Sequence, residues 1–369
     1  MFHHRNSSDM TDSDPIVLVS GASGFIACHV IQQLQRAGYR VRGTVRSLKN
    51  EQKCQPIREL CPDAKHPIEL VEADLLKEET WPAAVAGCTY VMHTASPVPV
   101  DHPKHESEVI KPAVDGTLNV LRAVKAAGGV KRVVITSSIA AVQGGMSGEN
   151  GRKYTEDDWT DPERENIGAY VKSKALAEKA AWDFVSALGD DDKFELSVVN
   201  PGYVFGAVIS GGDGSTMRMP MMMMNRQVPM LPRLCMPSID VRDVAAAHVA
   251  AMTSPDAAGH RHILVTKNLW FKDIAQILAD EFKPQGYNPP LTESPYWLMW
   301  IMARFSQSTR MMLPSLDSEA ELVNRRMLEV LHIQPRSVDD AIVDMTYSLI
   351  ERGLIKKTAK YKSRTTSAQ

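Results

Sequence analysis

The chain has 369 residues, 44% apolar and 23% charged, a globular composition with enough apolar residues to bury a sizeable core. A formal net charge of −2 argues against nucleic-acid or anionic-membrane partners; the longest strongly apolar stretch, Tyr296 to Phe305, is broken by Arg304 and falls short of a membrane span. Five cysteines (Cys28, Cys54, Cys61, Cys88, Cys235), odd in number and without a CxxC pair, fit reduced thiols and a cytoplasmic location.

The polar segment 1–14 lacks the apolar core of a signal peptide and is expected to be a disordered tail. Strands are expected at Ile16–Ser20, Arg40–Val45, Ile68–Glu72, Tyr90–Thr94, Val130–Thr136 and Glu195–Asn200. Helical patterns cover Phe25–Ala37, Pro103–Ala127 and Pro162–Leu188, with Gly38, Gly128 and Gly189 as C-terminal caps. Such alternation predicts an α/β fold, a Rossmann-type doubly wound parallel sheet covered on both faces.

After Asn200 the rhythm changes. Five methionines in Met219–Met224 are candidates for an adaptable apolar pocket or for plain core, and 287–322 is rich in Trp, Met and Pro. The expected division is a Rossmann domain over 15–201 with 237–285 returning to it. A smaller substrate lobe takes 202–236 and 286–335, followed by a C-terminal helix at 336–355 and a solvated tail at 356–369.

Gly21, Gly24 and Ala27 follow the first strand at three-residue intervals and open the first helix. Gly21 suits a tight turn, Gly24 a close backbone approach to a diphosphate, and the helix start offers N–H groups to the anion. Strand before and helix after make this a dinucleotide-binding loop rather than a chance glycine pattern. The second strand ends without the acid that would take ribose hydroxyls: from Tyr39 to Asn50 there is no Asp or Glu. Arg46 stands there instead, with Lys53 following, a pair suited to a 2′-phosphate and hence to NADP(H).

Tyr170 and Lys174, four apart on a helix, share one face. A cation near a phenol lowers its pKa toward neutrality. The fifth strand runs into Ser137 and Ser138 at its carboxyl end, where ligands collect in parallel sheets. A hydroxyl there can hold a carbonyl oxygen while tyrosine passes a proton.

With these segments assembled, the sequence resembles the extended short-chain dehydrogenase/reductases, and within them the dihydroflavonol 4-reductase-like group. The matching stretches are Ser20–Ala27, Tyr39–Ser47, Glu72–Leu75, His93–Pro97, Val109–Leu121, Arg132–Val142, Tyr170–Glu178, Asn200–Gly206 and Ile239–Val249. The resemblance implies Ser138, rather than Ser137, as the carbonyl-polarising serine, Tyr170 as proton donor and Lys174 as the lysine on the nicotinamide ribose. It implies Ser23, Phe25 and Ile26 in the phosphate loop, and Arg46 and Lys53 on the 2′-phosphate. Asp74 and Leu75 would lie at the adenine edge, Thr94, Ala95 and Ser96 over phosphates and ribose, and Pro201, Gly202 and Val204 beside the carboxamide. Asn119 would be a structural polar residue of the central helix.

Ser20 replaces the usual Thr before the first glycine. Gln143 stands where plant dihydroflavonol reductases carry an Asn on the flavonoid B ring, so Gln143 joins Ser138 and Tyr170 as a substrate contact without fixing a dihydroflavonol. The implied activity is reduction of a small-molecule aldehyde or ketone by a monomer or homodimer. Hydroxysteroid dehydrogenases, sugar-nucleotide epimerases and non-catalytic NADP sensors are the rivals; the last tend to lose the Tyr or Lys retained here. No metal is expected, because neither His102 with His105 nor His260 with His262 has a third ligand at suitable spacing, and both pairs read as loop histidines. Asp190–Asp192 reads as an exposed loop, and Trp297 with Trp300 as one buried helix face.

Overall fold

A computed structural model describes residues 14–96, 105–145, 147–165, 167–210 and 215–364. In chain order, β1 (Ile16–Val19), α1 (Phe25–Arg36), β2 (Arg40–Val45), α2 (Glu51–Arg58), β3 (Glu69–Glu72), α3 (Trp81–Val85) and β4 (Tyr90–His93) come first. Next are α4 (Ser107–Ala127), β5 (Arg132–Thr136), α5 (Ala140–Gln143), β6 (Lys153–Tyr154), α6 (Ala169–Ser186) and β7 (Glu195–Pro201). Then follow β8 (Tyr203–Phe205), α7 (Arg218–Met224), β9 (Cys235–Asp240), α8 (Val241–Thr253), β10 (Arg261–Leu264), β11 (Lys267–Trp270) and α9 (Phe271–Phe282). The chain ends with α10 (Tyr296–Met302), α11 (Gln307–Met312), β12 (Glu321–Leu322), α12 (Arg325–Glu329) and α13 (Val338–Glu351).

Seven strands pair in parallel in the order β3-β2-β1-β4-β5-β7-β10. The expected doubly wound sheet is therefore present. Alternation along β1 explains its two-sided burial: Val17 and Val19 join α1, α2 and α8 on one face, whereas Leu18 joins α3, α4 and α6 on the other. The direction of winding reverses between β1 and β4, so the carboxyl ends of β1, β4 and β5 open one crevice.

A second core lies outside the sheet. Strands β11, β9 and β8 form a small sheet, and α7, α9 and α13 pack with it around Phe205, Met223, Met236, Phe282 and Leu349. This corrects the sequence-based division: residues 267–282 belong with this core because the apolar stripe Ile274–Leu278–Phe282 faces α13. Met327, Leu331 and Ile333 go the other way, into the Rossmann core. Met219, Met223 and Met224 are plain core, and only Met222 of that run is exposed.

Other expectations change for local reasons. α6 starts at Ala169 rather than Pro162, because Asp161 closes a turn onto the Glu163 amide (2.9 Å) and Gly168 is extended. Gly38 and Gly128 adopt positive φ at their helix ends, but Gly189 is extended, the helix having ended at Ser186. The tail over 356–364 is largely exposed, as expected, but anchored at three points: Thr358 Oγ1 donates to the Gln285 carbonyl, Tyr361 Oη to Glu351 (2.6 Å), and Lys362 N to Gln285 Oε1 (3.1 Å). Trp297 and Trp300 are 63% and 48% exposed, since α10 turns only Met299 inward. His262 is a buried strand residue bonded to the Val198 carbonyl, 3.1 Å away, and not a loop histidine. His102 lies outside the described residues. Among the described residues no helix is long and apolar enough to cross a membrane, and no three His, Cys, Asp or Glu cluster as metal ligands would.

Burial holds His93, His248 and His262 near pKa 4, against about 6.5 in an unfolded chain. They stay neutral in the fold while the unfolded chain takes up protons. Their stabilising contribution is therefore complete above pH 6.5 and is lost as pH falls toward 4. Three such groups contribute a slope of up to about 4 kcal/mol per pH unit in that window. Denaturant melts at pH 7 and pH 5 should show it, and His248→Gln should flatten the dependence; equal stability at both pH values would contradict the assignment.

Candidate functional site

The loop between β1 and α1 is drawn tight by its own backbone and by β4. Gly21 has φ of +64°, and a Cβ there would meet the Ala95 Cβ at 3.0 Å; one on Gly24 would meet the Gly21 carbonyl at 3.1 Å. Either substitution would crowd the loop against its own backbone or against Ala95 and shift the glycine turn. Gly24 caps α1 in extended conformation, with no side chain on the first-turn N–H groups, which remain available to an anion at the positive end of the helix. Phe25 and Ile26 begin that turn, and Ser23 sits partly exposed before it.

Ser20 is the joint of this loop. Its hydroxyl accepts from the Ala95 amide (2.9 Å) and lies 3.0 Å from His93 Nδ1, and its carbonyl accepts from Thr94 Oγ1 (2.5 Å). The hydroxyl that Ser shares with Thr thus ties the glycine loop to Ala95 and His93, while the Ser20 carbonyl ties it to Thr94.

Arg46, at the end of β2, and Lys53, in the first turn of α2, are exposed and make no side-chain hydrogen bond or ion pair among the described residues. Arg42 is different: it spans Glu69 (2.8 Å) and the Ala84 and Ala86 carbonyls, a structural role. Asp74 accepts from the Leu76 amide (3.0 Å), shaping the turn after β3, and Asn119 donates to the Leu75 carbonyl (2.8 Å). Asn119 therefore holds the turn expected at the adenine edge.

Helix α6 carries Tyr170 and Lys174 to the end of β5. The Ser138 hydroxyl stands beside the Tyr170 phenol, close enough to draw down its pKa, and Lys174 Nζ lies 5.9 Å from the phenol ring centroid. Burial pushes the phenol above its ordinary pKa; Ser138, not Lys174, is the neighbour that pulls it back. Lys174 sits over the ring face, and burial lowers its own pKa to about 8 against the opposing pull of Glu178. The result is a protonated phenol at neutral pH beside a serine hydroxyl, a donor pair for one oxygen atom.

Pro201 ends β7, Gly202 follows it, and Val204 lies in β8. A Cβ on Gly202 would come within 2.2 Å of the Pro237 carbonyl, so the chain passes there only as glycine. Gln143 is 2% exposed, with its amide nitrogen 3.3 Å from the Gly145 carbonyl.

Sequence reading passed over four residues that the fold gathers here: His93, Glu178, Asn200 and Tyr203. Tyr203 lies near Tyr170, and burial with that neighbour raises its pKa. Glu178 was open to detection, because it lies four residues beyond Lys174 on the same helical face. Asn200 and His93 depend on strand packing that no local pattern reveals.

A model of the NAD dependent epimerase/dehydratase family matches residues 17–266. The chain belongs to this family. Among epimerase/dehydratase relatives, the NADPH-dependent methylglyoxal reductase of Saccharomyces cerevisiae is 34% identical over 295 residues, covering 74% of this chain and 85% of that protein. Dihydroflavonol 4-reductase of Hordeum vulgare is 35% identical over 274 residues, covering 72% and 75%. The crystal structure of yeast methylglyoxal/isovaleraldehyde reductase complexed with NADPH superposes with a TM-score of 0.75 at 28% identity, over 92% of this chain and 99% of that one. The resemblance to dihydroflavonol reductase-like dehydrogenases drawn from the sequence thus holds, as does the Rossmann-type fold.

Proposed function

We propose that this member of the family is an NADPH-dependent reductase of an aldehyde or ketone. The observation that carries this reading is the placement of Ser138 beside the Tyr170 phenol at the carboxyl end of β5, with Lys174 over the phenol ring. NADPH, when bound, would supply the hydride. The residues that would hold it fit a phosphorylated dinucleotide: a glycine cradle with no room for Cβ atoms, an uncapped helix start, and Arg46 and Lys53 with no competing acid partner among the described residues.

In this reading the Ser138 hydroxyl holds the carbonyl oxygen, and Tyr170 gives it a proton as negative charge develops there. Lys174 holds the ribose hydroxyls and provides the positive charge that steadies the phenolate left behind. The relatives named for methylglyoxal and dihydroflavonol reduction support the reaction class.

The test is NADPH oxidation by purified protein over aldehydes, α-dicarbonyls, β-ketoesters, flavonoids and steroids. Consumption above background with at least one partly apolar carbonyl is expected; none in any class would refute the reading. Cofactor choice is a separate measurement. A charge-assisted phosphate contact is worth roughly 1.5–3 kcal/mol, or about ten- to a hundredfold in affinity. NADPH should therefore exceed NADH by that order in kcat/KM, and Arg46→Ala should erase most of the difference. Equal kcat/KM for the two cofactors in the unaltered enzyme would sink the assignment of Arg46.

A further inference from the structure

Behind Tyr170 and Lys174, the same face of α6 carries a third group that the reaction as described does not use. Glu178 is 2% exposed, and its carboxylate accepts from four other side chains. Arg261, on β10, donates through Nε to Oε1 (2.5 Å). Ser137 Oγ donates to Oε2 (2.5 Å), Asn200 Nδ2 to the same oxygen (2.8 Å), and Trp182 Nε1 to Oε1 (3.4 Å). Arg261 is itself locked in place. It donates to the carbonyls of Glu156 (3.0 Å), Asp158 (2.5 Å) and Ala141 (3.1 Å), and lies 3.8 Å over the Trp159 ring.

A buried ion pair of this kind is costly to desolvate, and an apolar pair of similar volume often gives equal or greater stability. Its partners indicate what it achieves. Ser137 precedes Ser138, and Asn200 Nδ2, while bonded to Glu178, also donates to the Ser138 carbonyl (3.2 Å). One carboxylate therefore clamps the serine turn, β7 and β10 to the helix that carries Tyr170 and Lys174.

We propose that Glu178 is a positioning residue for this site: fixed by Arg261, its carboxylate sets Ser138 against Tyr170 and holds a negative charge one helical turn from Lys174. The proposal rests on the carbonyl-reductase reading of Ser138, Tyr170 and Lys174. The ionisable groups facing Lys174 are Tyr170 and Glu178 on its own helix and His93 on β4, and burial together with the Lys174 charge keeps His93 neutral. Arg261 from β10 is the charged group facing Glu178. Among the described residues, Glu178 is thus the one negative charge acting to keep the buried ammonium protonated.

Glu178→Gln removes that charge and keeps the shape. The pH at which Lys174 loses its proton should then fall by about one unit. The basic limb of both kcat/KM and NADPH affinity, the latter read by nucleotide fluorescence, should move down with it. At pH 6, where Lys174 is protonated in either protein, kcat should fall roughly ten- to a hundredfold because Ser138 is no longer held, with little change in carbonyl KM. If Glu178→Gln does not fold with Arg261 left unpaired, the double variant Glu178→Leu/Arg261→Met removes both charges and should give the same displaced limb. A variant that melts at lower temperature yet keeps both basic limbs and its kcat at pH 6 would show a purely structural salt bridge and overturn the proposal. Should the unaltered protein reduce no carbonyl, the functional reading falls, and the pH limb of NADPH affinity still decides the role of Glu178.

Discussion

Tyr170→Phe should lower kcat by about 10²–10⁴-fold and leave NADPH affinity nearly unchanged. The substitution keeps the ring under Lys174 Nζ and removes the phenolic oxygen beside Ser138. Ser138 retains its hydroxyl, and its Oγ still accepts from the Ala140 amide (3.1 Å), so the turn that presents it stays formed. What disappears is the acid. Burial keeps the phenol protonated at neutral pH, the state a reductase needs at the start of each turnover. Tyr203, the other phenol nearby, is likewise raised by burial and by Tyr170. Steady-state rates with the best carbonyl and a fluorescence titration of NADPH check both halves. Near-normal turnover would mean that the proton comes from elsewhere.

Much of this site was legible in the sequence because its parts lie in short, ordered segments. The glycine loop is bracketed by a strand and a helix, so Gly21 and Gly24 could be assigned from spacing alone. Tyr170 and Lys174 share a face by helical periodicity, and Ser138 follows a run of β-branched residues that could only be a buried strand. The segments read less well were those whose environment is set by distant chain. Met219–Met224 looks the same as pocket or as core until α9 and α13 are in place over it. Trp297 and Trp300 have the spacing of a buried face, but α10 has little to bury against beyond Met299 and lies open. The Lys- and Arg-rich tail reads as solvated, yet Tyr361 and Thr358 anchor it to Glu351 and Gln285, partners far away or invisible to local pattern. The clamp around Glu178 joins residues up to 83 apart in sequence, and only the order of strands β5, β7 and β10 brings them together.

Lys174→Ala should behave differently from Tyr170→Phe, losing NADPH affinity and rate together. Lys174 is 7% exposed, with its ammonium over the Tyr170 ring and close enough to His93 to lower that group's pKa. Removing it takes away the proposed ribose donor and also the positive charge proposed to steady the phenolate once it forms, beside a phenol that burial already raises. Reduction begins from the protonated phenol but ends on the phenolate, so its rate falls with the stability of that product. Alcohol oxidation begins from the phenolate, and the lysine variant should regain part of its rate as pH rises and the phenol ionises without help. Tyr170→Phe has no phenol to ionise and should gain nothing. The paired measurement is alcohol oxidation with NADP⁺ from pH 7 to 10 in both variants. If both profiles rise equally, the recovery does not come from Tyr170, and Lys174 acts on the cofactor alone.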